Sequence, residues 1–329
     1  MSLGSSFIVG SFTGPQGPVL SSIGINSTLQ LGSPSIVTKD FDIRVWPVED
    51  SVVSLQSGRA HTIALTQSGL VHVWGANNYG QCGVPQSKGV PFSTLPVTGV
   101  ITSIAAGLDN TFLLTDEGAV LAAGWAADGQ CGTGDTKMLH TLTPVPLPAR
   151  VVMLSSSCDT TLVLCEGGAV YGWGNNEYNQ IALSDEMQCV SPRLIDTPSN
   201  VRSVAAGGSF SLFLTESGEL WSCGYGPGTG RTDGDQALCK VETSLRFSSV
   251  TASLDHALGV TVDNKVARWG RGAQNKLISE GEGDIASPEV LELEVTEVVC
   301  GVRRSGLLTK EYHKGCSQYG MVGGEDDED

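Results

Sequence analysis

The chain has 329 residues, 19 basic and 35 acidic, for a net charge of −16. That length buries an ample core without disulfide or metal staples, and the acidic balance is the reverse of the basic footprint that direct DNA or RNA binding requires. Nine cysteines with no C-x-x-C pair among them read as reduced thiols in an intracellular setting and argue against a zinc site.

The start, MSLGSSFIVG, has no basic n-region and no Arg-rich amphipathic pattern, so no targeting segment is read there. No run of about 18 apolar residues follows anywhere in the chain, so no helix is expected to span a membrane. The first organised stretch places Gly4 ahead of Gly24 and continues as SSIGINSTLQLG, a long hairpin without a leading V-x-x-V strand.

Four clear copies of one pattern come next, beginning at Val52, Ile101, Val151 and Val201, and a weaker one begins at Val250. A turn position and a later glycine keep one spacing in five copies: Gly58 with Gly75, Gly107 with Gly124, Ser157 with Gly174, Gly207 with Gly224, and Ser253 with Gly270. Runs such as HTIAL and TFLLT are short and rich in β-formers, and turn triplets such as Gln67-Ser68-Gly69 separate them from VHVWG-type strands. A last degenerate copy runs from VVCGVRRSGLLTK to GCSQYGMVG, and the chain closes on the acidic run EDDED.

The stretch WGANNYGQCG at 74–83 has the glycine density of a phosphate loop. It fails as one, because Gln81 and Cys82 stand where a P-loop needs Lys and a hydroxyl. Its copies, GWAADGQCG, WGNNEYNQ, CGYGPGTG and WGRGAQNKL, make it a repeated turn. Short strands, Gly-rich turns and a period near 50 residues predict an all-β, seven-bladed β-propeller. Residues 1–323 form one domain in this reading, with repeats at about 1–51, 52–100, 101–150, 151–200, 201–246, 247–294 and 295–323. Residues 324–329 form an acidic, disordered tail. The two termini are expected to meet in one composite blade, and the propeller is expected to be monomeric.

These copies resemble the regulator of chromosome condensation repeat family, whose pattern runs V-x-x-V-a-a-G-x-x-H-t-x-x-L-t-x-x-G-x-v-y-x-W-G-x-N-x-x-G-q-L-G. The resemblance covers nearly the whole chain and implies a seven-bladed propeller. GRAHTIALT with NNYGQCG, AAGWAADGQCG, YGWGNNEYNQIA and the GYG at 224–226 look most like the mitochondrial RCC1-like G-exchanging-factor branch. That likeness implies a mitochondrial protein tied to ribosome and RNA maturation and to a fusion GTPase. WGRGAQNKL and GCSQYGMVG look like the α-tubulin-suppressor and secretion-regulating branch, which implies a cytosolic partner of the tRNA-modification and diphthamide machinery.

Trp74, Trp173 and Trp269 are read as blade packing, and Cys82 and Cys131 as small hydrophobes where the family pattern has Leu. His61 and His256 occupy a slot filled elsewhere by Asn110, Thr160, Phe210 and Arg304, which excludes a ring of metal-binding imidazoles. The residue before that slot is Ala60, Asp109, Asp159, Ser209, Asp255 and Arg303 around the ring. These positions fall at one end of a propeller, where carboxylates either meet a basic partner or cap their own turns.

The partner-binding candidates are therefore Arg59, Asp109, Asp159, Asp255, Arg303 and Arg304. No catalytic, cofactor or metal residue is proposed, because no H-E-x-x-H, G-x-S-x-G or paired-cysteine set is present. The resemblance carries a guanine nucleotide exchange role as an alternative. The founding member acts on the Ran GTPase through acidic residues just after the turn glycine, and here that position holds Arg59, Leu108, Cys158, Gly208, Leu254 and Val302. The expectation is a non-enzymatic protein-interaction scaffold. Its partners would be a GTPase or a ribosome or RNA-modification complex.

Overall fold

Each repeat alternates apolar β-formers with glycine turns, and each becomes an antiparallel sheet. The computed structural model describes residues 2–3, 7–14, 17–33, 37–234, 236–271, 283–294, 297–300 and 305–308. Among them are six four-stranded sheets and a seventh of which two strands, Glu297–Cys300 and Ser305–Leu308, are described. The only helical segment among these residues is the single 3-10 turn Pro227–Thr229.

The second sheet shows the common order. Val52–Ser57 pairs with His61–Thr66, which pairs with Val71–Ala76, which pairs with Gly89–Leu95. The leading strands of the seven sheets are Ser2–Leu3, Val52–Ser57, Ile101–Ala106, Val151–Ser157, Val201–Ala206, Phe247–Ala252 and Glu297–Cys300. Each lies beside the next, and the last lies beside the first, so the leading strands line a closed ring. This is a β-propeller. One expectation is corrected here. The first repeat has its own leading strand, Ser2–Leu3, paired with Phe7–Gly14. The expected composite blade otherwise involves residues outside those described, as do GCSQYGMVG and the acidic tail.

The motif glycine has a geometric cause. It lies directly opposite the first residue of the second strand in five repeats: Gly75 with His61, Gly124 with Asn110, Gly174 with Thr160, Gly224 with Phe210, and Gly270 with His256. All five glycines have φ between +98° and +120°. A Cβ there would collide with the carbonyl of Ala60, Asp109, Asp159, Ser209 or Asp255. Those carbonyls accept the next backbone N–H of the motif, for instance from Ala76 at 2.8 Å and Trp125 at 2.9 Å. Only glycine allows that approach at positive φ.

The residues after the glycine build a loop from their own amides. Asn77 Oδ1 accepts the Cys82 N–H at 3.0 Å, and Gln81 Oε1 accepts the Tyr79 N–H at 3.0 Å. The fourth repeat repeats this with Asn176 and Ile181 at 2.7 Å, and with Gln180 and Tyr178 at 2.9 Å. Cys82 and Cys131 are fully buried and donate to the carbonyls of Ala76 and Trp125 at 3.4 and 3.3 Å. They pack as small hydrophobes.

The core lies between sheets. Trp74, Trp173 and Trp269 are fully buried, and Phe112 of the third sheet meets Trp173 of the fourth edge-on. Each indole N–H also donates backward to the preceding repeat: Trp74 to the Gln30 carbonyl at 3.1 Å, Trp173 to Gln130 at 2.8 Å, and Trp269 to Gly228 at 2.8 Å. Where the tryptophan is missing, another donor takes that carbonyl: Thr111 reaches Gln81 at 2.6 Å, and Cys223 reaches Gln180 at 3.3 Å. The tryptophans are therefore committed to joining blades.

Candidate functional site: the loop end of the propeller

The turns between first and second strands share one end of the ring with the loops that follow the motif glycine, because the strands are antiparallel. Three turn residues there are candidate carboxylates. Burial pushes the Asp109 carboxyl above its usual range, while the guanidinium of Arg59, which bonds to it, pulls it back. Arg59 comes from the second repeat and Asp109 from the third, so the pair bridges two blades.

Asp159 is likewise raised, first by burial. The Gln130 amide opposes this by donating to Asp159 Oδ1 at 3.0 Å, and Asp128 and Asp109 add to the rise by repulsion. The same amide nitrogen reaches Asp128 Oδ2 at 3.1 Å, so one donor holds two carboxylates. Asp255 accepts from His256 Nδ1 at 3.2 Å and stands with Asp159 near the Cys158 thiol, which burial pushes up to about 12. Arg303 and Arg304 lie outside the described residues.

The inner rim of this end is stitched by backbone. The Arg59 N–H donates to the Leu108 carbonyl at 2.9 Å, and the Leu108 N–H donates to Cys158 at 3.1 Å. Cys158 itself has φ of 51°. Below the rim lies a channel cavity of about 190 Å³. Ser57, Ser155, Ser156, Ser157, Thr251 and Ser253 line part of it, and among the described residues no charged side chain does. Among the described residues, no three His, Cys, Asp or Glu side chains come together to hold a metal ion.

His61 is fully buried and its imidazole is pushed down to about 4 by desolvation. Its Nε2 lies 3.1 Å from Thr111 Oγ1 of the next blade, so it serves the blade junction.

Four aromatic residues at this end escape a sequence reading. Tyr79 meets Trp125 with centroids 4.8 Å apart, and Tyr178 stacks on Tyr225 at 5.7 Å. Each pair joins consecutive repeats. The tyrosines of the second and fourth repeats stand four places after the motif glycine, and their partners stand immediately after the next one. That shared offset is the signal that marks them.

The model of the RCC1-like domain matches residues 14–307. The chain belongs to the RCC1-like domain family. Among curated protein sequences none matches it. Among solved structures, this RCC1-like domain is similar to human WBSCR16, with 25% identity over 94% of this chain and 85% of that one, at a TM-score of 0.84. It is also similar to Prp20p from Saccharomyces cerevisiae, with 23% identity over 94% of this chain and 82% of that one, at a TM-score of 0.79. Prp20p was studied for its binding to Gsp1p and histones. At this identity the second likeness shows the fold alone.

Proposed function

We propose that this RCC1-like domain is a non-enzymatic scaffold that presents the loop end of its propeller to basic protein partners. One observation carries the reading. Two inter-blade aromatic pairs and the carboxylates Asp109, Asp128 and Asp159 share that end, with Arg59 bonded to Asp109 among them. Aromatic residues and arginine are the types that anchor protein interfaces. The net charge of −16 favours a basic partner and speeds its encounter.

The resemblance of the repeats supports placing that partner in mitochondrial ribosome and RNA maturation. Quantitative affinity purification from cells tests this. Mitoribosome factors should co-purify with the wild-type chain and be lost with Tyr79→Ala and Asp159→Asn. A control at the opposite end, Val152→Ser, should retain them. Recovery of tRNA-modification subunits instead would move the protein to the cytosolic branch.

Guanine nucleotide exchange is the second reading, supported by family membership. A mitochondrial fusion GTPase loaded with fluorescent GDP is the probe. An unchanged release rate at high propeller concentration rejects exchange and leaves the scaffold reading in place. The position after the turn glycine, Arg59, Leu108, Cys158, Gly208 and Leu254, carries no acid, which favours that result.

A further inference from the structure

Three large apolar side chains that remain open to solvent converge on one crevice at the loop end. They are Tyr178, Tyr225 and Leu254, with relative exposures of 38%, 52% and 37%. The crevice has a volume of about 170 Å³, and Pro227 and the buried Phe210 complete its apolar lining. Asp255 and Arg271 stand at its edge, and Arg271 is turned toward Asp284 at 4.0 Å.

The repeats supply their own control. The equivalent aromatic pair between the second and third blades meets at 65°, edge against face, at 4.8 Å. Tyr178 and Tyr225 lie at 26° to each other. The fifth repeat follows its motif glycine with Tyr225-Gly226-Pro227-Gly228, where the second has Ala76-Asn77-Asn78-Tyr79. Two glycines contribute no bulk, so the junction with the sixth repeat is left unfilled. In the second repeat the place of Gly228 is held by Tyr79, whose ring packs on Trp125 of the next blade.

We infer that this crevice seats one large apolar side chain of a partner segment whose flanking residues are lysine or arginine. The volume suits a single side chain, being close to that of an engineered cavity of about 150 Å³ that accepts benzene. The stacked rings are in contact range, so nothing enters between them, and the anchor lies against the free side of Tyr225 and Leu254. Charge selects the flanks. Asp255 and Arg271 both line the crevice, but Arg271 is turned toward Asp284, and Glu177 is exposed beside Tyr178. A second copy of this chain would bring like charges together, so a basic partner is the occupant. The inference rests on the loop end being the docking surface.

Fluorescence anisotropy with synthetic dodecapeptides and the full chain tests it. One peptide carries a central Leu flanked by Lys and Arg, a second has Ala at the centre, and a third has Glu flanks. The Leu peptide should bind. Tyr225→Ala and Leu254→Ser should each weaken it about tenfold, as truncation of an interface anchor does. The Ala peptide should show the same loss on the wild-type chain and no further loss on either variant. Unchanged urea midpoints confirm that the variants fold. Equal binding of the Glu-flanked peptide overturns the inference, and so does no binding of the Leu peptide at millimolar concentration. If Asp159→Asn weakens the Leu peptide while Tyr225→Ala and Leu254→Ser do not, the loop-end reading stands and the crevice falls. If none of the three variants matters, both fall.

Discussion

The indole of Trp173 donates to the main-chain carbonyl of Gln130, one repeat earlier, at 2.8 Å, and the Gln130 side chain reaches Asp159 from the same loop. A buried blade junction and a loop-end carboxylate thus share one residue. Trp173→Phe keeps most of the packing and strands the carbonyl. It should cost about 1–3 kcal/mol, the penalty for a buried polar group left unpaired. Urea denaturation should show the loss, and peptide binding at the loop end should survive it.

Glycine substitutions should separate into two classes. At Gly124 an added Cβ meets the Asp109 carbonyl at φ +113°, so Gly124→Ala should lose more than about 2 kcal/mol through strain and displaced backbone. At Gly99, with φ +92° and nothing within 4 Å, Gly99→Ala should lose only about 1 kcal/mol. Equal midpoints for the two variants would contradict the geometric account of the motif glycine.

Removing Arg59 should raise Asp109 further. Burial already lifts that carboxyl and the guanidinium opposes it, so Arg59→Ala leaves desolvation without its counterweight. Carbon-detected NMR titration of the Asp109 carboxyl reads the change directly. The effect on stability should be under about 1 kcal/mol, because Arg59 is half exposed.

His61 should give the fold a pH-dependent component. Its folded pKa of about 4 lies below the ordinary value of 6.5, so the unfolded chain binds the proton first as pH falls. Its contribution is full above 6.5 and is lost as pH drops toward 4. The third repeat holds Asn110 in the equivalent slot, so His61→Asn is a tolerable probe. The variant should show a flatter decline in urea midpoint between pH 6.5 and 4 than the parent.

Thiol labelling should be slow and ordered. Burial pushes Cys82, Cys131, Cys158, Cys189 and Cys223 up to about 12, while Cys239 is only partly buried. Among the seven cysteines whose side chains are described, mass spectrometry after brief iodoacetamide treatment should find Cys239 modified first. Early labelling of Cys158 would contradict its buried placement at the channel rim.

Much of the propeller was legible in the repeats. The five-fold constancy between turn and glycine is the sequence image of one collision, between a Cβ at the glycine and the turn carbonyl. The slot residues were also legible, because Asp109, Asp159 and Asp255 hold equivalent places in their repeats. Their neighbours were not. Arg59 and Asp109 were both candidates, but nothing local pairs residues one repeat apart. The aromatic pairs went unseen because the two partners stand at different offsets from their glycines.

What the sequence determined alone was the repeating unit: strands from β-forming runs, turns from glycine, and a ring from a unit that cannot bury both faces by itself. The lateral order was decided only in the tertiary structure, because neighbouring blades set residues some 50 positions apart against one another. That contact pairs Arg59 with Asp109, stacks Tyr178 on Tyr225, and commits the three motif tryptophans to the preceding blade. It also opens the crevice beside Tyr225, because the Gly226-Pro227-Gly228 loop has too little side chain to close it.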